Sequence, residues 1–300
     1  MEKVIITGGA GFIGSHIVDQ LVQDGYEVHV MDNFSSGQKE NINPKATLHM
    51  VDIRDKDKLI PIFKDAKYVF HHAALPQVQY SIDNPIETNE VNATGTLNVL
   101  EASRVNKVKR VIFASSCAVY GDQEKLPIAE DMPANPLSPY GAQKCISEIY
   151  MRLYAQIYNL ETVSLRYFNV YGPRQGVDGA YASVIPKFIE LNKKGMPLSV
   201  TGDGEQTRDF VNVKDVVRAN ILAMESGGVG GGEAINIGSS QQYSVNHIAK
   251  LIGGDVSYMP SRTEIRNIQA NIGKAKKFLN WEPRVILEEG IRELKAYNNV

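Results

Sequence analysis

Short runs of β-branched and aromatic residues alternate along this chain with longer stretches whose apolar residues return every three or four positions. Residues 2–7 (EKVIIT), 27–31, 47–51, 68–71, 110–114 and 161–168 carry the first signature, that of buried strands. Residues 15–23, 56–64, 86–105 and 136–158 carry the second, that of helices with an apolar face. Strand after helix after strand predicts an α/β fold, a Rossmann-like doubly wound parallel sheet with right-handed crossovers. Beyond Phe168 the alternation loosens. Turns rich in Gly, Pro and Arg surround a helix near 181–194 and a short strand at 198–201, followed by an amphipathic helix at 214–225. The glycine run 227–232 reads as a flexible link, and 233–238 as a strand returning to the main sheet. The expected division is a sheet domain, 1–168, rejoined by 209–240, and a smaller interleaved domain within 169–300.

The first loop of this pattern carries chemistry. Gly8-Gly-Ala-Gly11-Phe12-Ile13-Gly14 lies between a strand and a helix, and the next strand ends at Asp32, eighteen residues after Gly14. Glycines there let the backbone approach a pyrophosphate, and a helix N-terminus offers free N–H groups and partial positive charge. An acid at the end of the second strand accepts from an adenosine ribose diol and repels a 2′-phosphate, which predicts NAD rather than NADP. The glycines fall as GxxGxxG, not GxGxxG, so the prediction rests on the strand–turn–helix–strand–acid context.

A second constellation lies mid-chain. The stretch Pro136–Tyr158 enters a helix through two prolines, and its four-residue spacing sets Tyr140 and Lys144 on one face. A phenol titrates near ~10, and a neighbouring ammonium is expected to lower that value. Upstream, the strand at 110–114 runs into Ser115 and Ser116, and ligands of open α/β sheets bind at such carboxyl ends. A hydroxyl, a phenol and a lysine in one cleft form a proton-handling site for a substrate alcohol.

Composition narrows the classes. The chain has 300 residues, 43% hydrophobic and 22% charged, with a formal net charge of −2. That is an ordinary globular balance, without the basic field that a nucleic-acid backbone requires. Two cysteines, Cys117 and Cys145, build no disulfide framework and fit a reducing, cytoplasmic setting. The apolar N-terminus is too short and glycine-rich for a signal peptide, and no segment approaches the ~20 apolar residues of a membrane span. His71 and His72 have no carboxylate or cysteine at ligand spacing, so core or cleft lining is expected rather than a metal. Cys117, among small residues at a strand end, reads as filler rather than nucleophile.

The motifs TGGAGFIG, Asp32-Asn33, Asp52-Ile53, HHAAL, Asn92, SSCAVYG, YGAQK, RYFNVYGPR, GEQTRDFV and LNWEPRVILEEG run nearly end to end. Together they resemble the extended short-chain dehydrogenase/reductase family, and within it the nucleotide-sugar 4-epimerases of the UDP-glucose 4-epimerase type. The resemblance implies that NAD stays bound and that Tyr140, as phenolate, takes the proton of the sugar's 4-hydroxyl. Ser116 would hydrogen-bond that oxygen, and Lys144 would hold the nicotinamide ribose. It further implies NAD contacts from Gly8, Gly11, Phe12, Ile13, Gly14, Asp32, Asn33, Asp52, Ile53, Ala73, Ala74, Asn92, Ser115 and Tyr167. For the UDP end it points to Asn169, Arg208 and Arg262. Tyr120 and Phe168 are expected in the cleft wall, with Tyr167 or Phe168 able to reach uracil.

Departures matter too. Cys117-Ala118 stands where dehydratases and decarboxylases of this family place an acid, which favours epimerisation. Ser261-Arg-Thr-Glu264 lacks a glycine common after the arginine, leaving Arg266 as a substitute clamp for Arg262. Ile268 aligns with a position that limits room for an N-acetyl group, and is intermediate in size. UDP-glucose/UDP-galactose is the expected pair, with N-acetylhexosamine, glucuronate and 4,6-dehydration as alternatives and an NAD-sensing regulator as the non-enzyme one. The helices near 86–105 and 138–158 are expected to pair with their copies in a homodimer.

Overall fold

The computed structural model describes residues 1–177, 183–261 and 264–300. Seven strands form its main sheet: β1 (Lys3–Thr7), β2 (Glu27–Asp32), β3 (Thr47–Met50), β4 (Ala66–His71), β5 (Arg110–Ser116), β6 (Glu161–Tyr167) and β7 (Gly231–Ile237). Their order is β7-β6-β5-β4-β1-β2-β3, and each neighbouring pair is parallel. The connections leave β1 in opposite directions, to β2 on one side and β4 on the other. The doubly wound expectation is met, and the switch point opens a crevice at the carboxyl ends of β1 and β4.

Both faces of the sheet are apolar, which is why its strands read as runs rather than alternations. Val4, Ile6, Val28, Val30, Phe70 and Ile112 pack on one face beneath α1 (Phe12–Gln23) and the helix Val213–Glu225. Ile5, Met31, Val69, Val111 and Phe113 pack on the other, beneath α2 (Lys56–Ile62), α3 (Gly95–Val105) and α4 (Pro139–Tyr158). A third apolar cluster, including Phe188, Leu198, Phe210, Ile248 and Leu294, forms within the chain beyond Tyr167. There Asn169–Tyr171 pairs with Phe210–Asn212, and Leu198–Thr201 with Val256–Met259.

Several elements differ from expectation. The helix expected near 181–194 covers Val184–Lys193, and its first residues fall outside those described. The expected helix 86–105 is three consecutive segments, Pro85–Asn89, a π-turn at Glu90–Thr94, and α3. In the π-turn the Asn92 carbonyl accepts the Thr96 and Ser147 hydroxyls at 2.6 and 3.0 Å, so side chains satisfy what regular helical bonding would. A short helix at Val78–Asp83 escapes a periodicity reading because six residues hold too few turns. Its buried Ser81 hydroxyl accepts the Tyr140 N–H at 3.1 Å, anchoring the first turn of α4.

A charged residue opens the central strand β5 for a structural reason. Arg110 is buried and reaches under the end of the helix Val213–Glu225. It donates to the carbonyls of Ala223, Met224, Ser226 and Val229 at 2.7–3.0 Å. Those are carbonyls a helix end leaves without partners, and a cation there also complements the helix dipole. Its ion-pair partner Glu161 is 40% exposed, so that pair is the weaker part. Arg110→Met is expected to lower unfolding free energy by about 3 kcal/mol and Glu161→Gln by less than about 1 kcal/mol. Urea midpoints of the two variants check the difference.

Candidate active site

The crevice begins where two turns touch. Gly8 has φ +70°, and a Cβ there would lie 2.6 Å from the Ala73 nitrogen, in the turn after β4. A Cβ on Gly14 would lie 2.2 Å from the Gly8 carbonyl, so the helix packs against the turn with no room for a side chain. Gly11 is the N-cap of α1 and brings no side-chain cap. The first-turn amides of Phe12, Ile13 and Gly14 therefore remain for an anion. That cradle fits a dinucleotide pyrophosphate.

Asp32 ends β2 and is buried. Its two oxygens accept the Ala10 and Phe34 N–H groups at 2.9 and 2.8 Å, which fixes the carboxylate and leaves further lone pairs for a ribose diol. Asn33 donates to Asp52 at 2.8 Å. Hydrogen bonds from Arg54 hold the Asp52 carboxyl down at about 2. Ile53 packs under α3 against Gly95. Asn92 clasps the loop after Ala73 and Ala74: its carbonyl oxygen accepts Leu75 N–H at 2.8 Å, and its amide donates to Leu75 O at 3.0 Å and to Gln143 at 2.8 Å.

The proton-handling residues converge at the tip of β5. Ser138 caps α4 by accepting the Gly141 N–H at 3.1 Å. Gly141 permits close approach, since a Cβ would lie 2.6 Å from the Ala118 carbonyl. Tyr140 is hydrogen-bonded by the Ser116 hydroxyl, and Lys144 Nζ donates to the Ala114 carbonyl at 2.7 Å while lying 5.7 Å from the Tyr140 ring centre. The expected effect of the lysine on the phenol does not dominate here. Burial pushes the Tyr140 phenol up to about 12 against the Ser116 hydrogen bond. Burial also pushes the Lys144 ammonium down to about 7, opposed by Glu148. A low dielectric disfavours both charged forms.

The histidines after β4 are lining. Thr96 Oγ1 donates to the Asn92 carbonyl, so it accepts from His71 Nε2 at 2.9 Å. His71 Nδ1 then accepts from Thr7 Oγ1 at 2.7 Å, which fixes a neutral tautomer with both nitrogens engaged. His72 meets the Tyr167 hydroxyl at 3.1 Å and is held neutral by burial, pushed down to about 3. Tyr167 in turn bonds Asn220. Among the described residues no cluster of His, Cys, Asp and Glu fits a metal ion. Burial raises the Cys117 thiol to about 12, which suits filler and not a nucleophile.

Farther out, Asn169 donates to the Asp209 carbonyl at 3.2 Å. Arg208 Nη2 donates to Glu264 at 2.7 Å, whereas Asp209 is buried and accepts from Ser239, Ser240 and Ala270. Arg262 lies outside the described residues. Arg266 forms a bidentate pair with exposed Asp203 at 2.8 Å, and Ile268 packs against the sheet's first core cluster. Sequence reasoning missed Glu148, Arg166, Gln143 and Thr96. Only Glu148 left a signal, one helical turn beyond Lys144.

A family model described as "NAD dependent epimerase/dehydratase family" matches residues 4–238. A putative UDP-glucose 4-epimerase of Methanocaldococcus jannaschii is 43% identical over 97% of this chain and 96% of its own. The UDP-glucose 4-epimerase of Thermotoga maritima, solved with UDP-glucose, superposes with a TM-score of 0.95 at 41% identity, covering 99% of this chain and 98% of its own. A UDP-N-acetylglucosamine 4-epimerase of Methanobrevibacter ruminantium does so with a TM-score of 0.93 at 40% identity, covering 99% and 97%. With the glycine cradle and the fixed acid of β2 in place, this chain belongs to the NAD dependent epimerase/dehydratase family, and NAD is its cofactor.

Proposed function

We propose that the protein is a UDP-hexose 4-epimerase acting on UDP-glucose and UDP-galactose. The observation that carries this is the convergence of Ser116, Tyr140 and Lys144 at the tip of β5, where Lys144 bonds the Ala114 carbonyl at 2.7 Å and lies 5.7 Å from the Tyr140 ring centre, with Cys117 and Ala118 beside it. Bound NAD supplies a hydride acceptor and donor for the sugar carbon, so oxidation and re-reduction cancel. Tyr140 in its phenolate form takes the hydroxyl proton and returns it, and Ser116 holds the oxygen through both directions. Lys144, anchored on Ala114, orients the nicotinamide ribose. No carboxylate stands at 117 or 118 to move a second proton at a neighbouring carbon, so the ketone is reduced again rather than dehydrated or decarboxylated.

The cofactor half of the reading assigns the pyrophosphate to Gly8–Gly14, the adenosine ribose to Asp32 and the ring surroundings to Asn33, Asp52 and Ile53. The turn residues Ala73 and Ala74, Asn92 of the π-turn and the strand-end residues Ser115 and Tyr167 complete that wall. The UDP end is assigned to Asn169, Arg208 and Arg262, arginine being suited to a diphosphate by its planar fork. The chain after Phe168, apart from its returning strand, serves as the substrate domain. We also infer a homodimer. Ile146, Ile149, Leu153 and Ile157 form an exposed apolar stripe on α4, 36–63% accessible, and Ile86 and Val105 lie exposed along the neighbouring helical stretch. No helix among the described residues is long and apolar enough to cross a membrane. Light scattering on the purified protein is expected to give twice the chain mass, and Ile149→Glu with Leu153→Glu to halve it.

Purified protein with NAD is expected to convert UDP-galactose to UDP-glucose, with UDP-N-acetylgalactosamine assayed in parallel. Equal turnover of both would broaden the substrate class. Loss of both, with NAD still released on denaturation, would overturn the hexose reading. Tyr140→Phe is expected to lower turnover by at least ~10²-fold while NAD content stays unchanged.

The acid at the ribose gives a second check. Asp32→Asn is expected to weaken NAD binding by roughly 10-fold or more, since a hydrogen bond to a charged group contributes ~1.5–3 kcal/mol. It should weaken NADP binding less, because the repulsive charge is gone. Calorimetric titration of the cofactor-stripped protein with each dinucleotide measures both.

A further inference from the structure

Three consecutive residues at the end of β5 are each held by one face of α4, one helical turn apart. Ser116 meets Tyr140, Ala114 accepts Lys144, and Ser115 donates to Glu148 at 2.6 Å. The third contact is part of no function assigned above. Glu148 is 11% exposed and forms a bidentate pair with Arg166 of β6, at 2.8 Å from Nε and 2.6 Å from Nη2. Arg166 continues to the Tyr120 hydroxyl at 2.7 Å, and Tyr120 to Asn236 of β7 at 2.6 Å.

We propose that Glu148 is a positioning residue for the reaction: through Ser115 and Arg166 it holds the tip of β5, with Ser116 and the Ala114 carbonyl that Lys144 bonds, in register with the Tyr140 face of α4. The proposal rests on the reading of Tyr140, Ser116 and Lys144 as the proton-handling group. A buried ion pair is by itself weak evidence for stability, yet this one is aimed at the strand end that carries two of those groups. Ser115, assigned above to the cofactor wall, donates its hydroxyl proton to this carboxylate.

The surroundings of Lys144 single out Glu148. On its own helix stand Tyr140 and Glu148. From β4 come His71, which burial pushes well below its ordinary value, and His72, pushed down to about 3. Both stay uncharged while the lysine titrates. From β5 come the Phe113 ring, 4.6 Å from Nζ, and the Ala114 carbonyl. Cys117, beside Tyr140, is held as a thiol by burial, as is Cys145, beside Glu148, whose thiol is raised to about 11. Burial likewise keeps the Tyr167 phenol protonated. Arg166 is cationic and paired with Glu148, and Glu148 opposes the effect of burial on Lys144.

The test reads the lysine directly. Holoenzyme labelled with ¹³C at lysine Cε is titrated as wild type, Glu148→Gln and Glu148→Gln/Arg166→Gln, with the Lys144 signal assigned by its loss in Lys144→Met. Losing an anion lowers an ammonium's pKa, so the Lys144 midpoint is expected to fall by about one pH unit in the single variant. A smaller fall is expected in the double variant, which removes the Arg166 cation along with the anion and buries no unpaired charge. The alkaline limb of the pH–rate profile should move down by the same interval, a change that loss of packing alone does not produce. An unmoved midpoint in the double variant overturns the proposal, because a shift confined to the single would belong to the uncompensated arginine. The titration uses no sugar, so the two readings fail separately. Wild type inert towards both sugars with the shift intact removes the hexose assignment, and turnover without the shift removes the role of Glu148.

Discussion

The crevice depends on one steric constraint, the contact between the turn after β1 and the turn after β4. Gly8 sits with positive φ against the backbone of Ala73, and Gly14 sits against the Gly8 carbonyl. Any side chain at these points would push α1 off the sheet and separate the two turns whose gap is the binding site. The helix amides, the fixed carboxylate of Asp32 and the loop clasped by Asn92 all take their positions from this contact. His71 reinforces it, since its imidazole joins Thr7 at the end of β1 to Thr96 at the start of α3 through a hydrogen-bond chain with one direction. A buried neutral histidine with both nitrogens satisfied carries no desolvated charge, whereas the same ring protonated would.

The second constraint is dielectric. Removing water from the tip of β5 acts on Tyr140 and Lys144 with opposite signs on the pKa scale but one physical meaning, favouring the neutral form of each. The phenol goes up to about 12 and the ammonium down to about 7. Proximity on a helix face cannot settle such a balance, because the ammonium's direct partner is a carbonyl and not the phenol. What remains charged nearby is the Glu148–Arg166 pair, which explains why an anion is kept at such depth.

This division marks how much was legible in the sequence. Features that depend on residues close in the chain were readable: the glycine turn, Asp32 at a strand end, the proline-led entry to α4 and the Tyr140–Lys144 spacing. The sheet was readable because both faces are buried and the runs are correspondingly apolar. Features that depend on which surfaces meet were not. Ser81 capping α4 joins residues 59 apart, and Arg110 serves a helix end more than a hundred residues downstream. Arg166 reads as an oddity in a strand until Glu148 is seen across from it. Arg208 and Asp209 are chain neighbours, but strand geometry sends adjacent side chains to opposite sides, so the arginine meets Glu264 and the aspartate turns inward.

That inward turn organises the outer half of the site. Asp209 is fully buried, and burial alone would raise its carboxyl. Three backbone N–H groups and the Ser239 hydroxyl act against that by donating to it. The donors come from the turn after β7, at Ser239 and Ser240, and from Ala270 in the segment leading to the helix Gly273–Leu279. One carboxylate thus ties the backbone beside Arg208 to the turn after β7 and to the segment that carries Ile268 and Ala270. Because Asp209 is locked from three sides, the backbone at Arg208 is locked with it. The guanidinium is held as well, donating to Glu264 at 2.7 Å and to the Thr207 carbonyl at 2.8 Å, so backbone and side chain of Arg208 are fixed together.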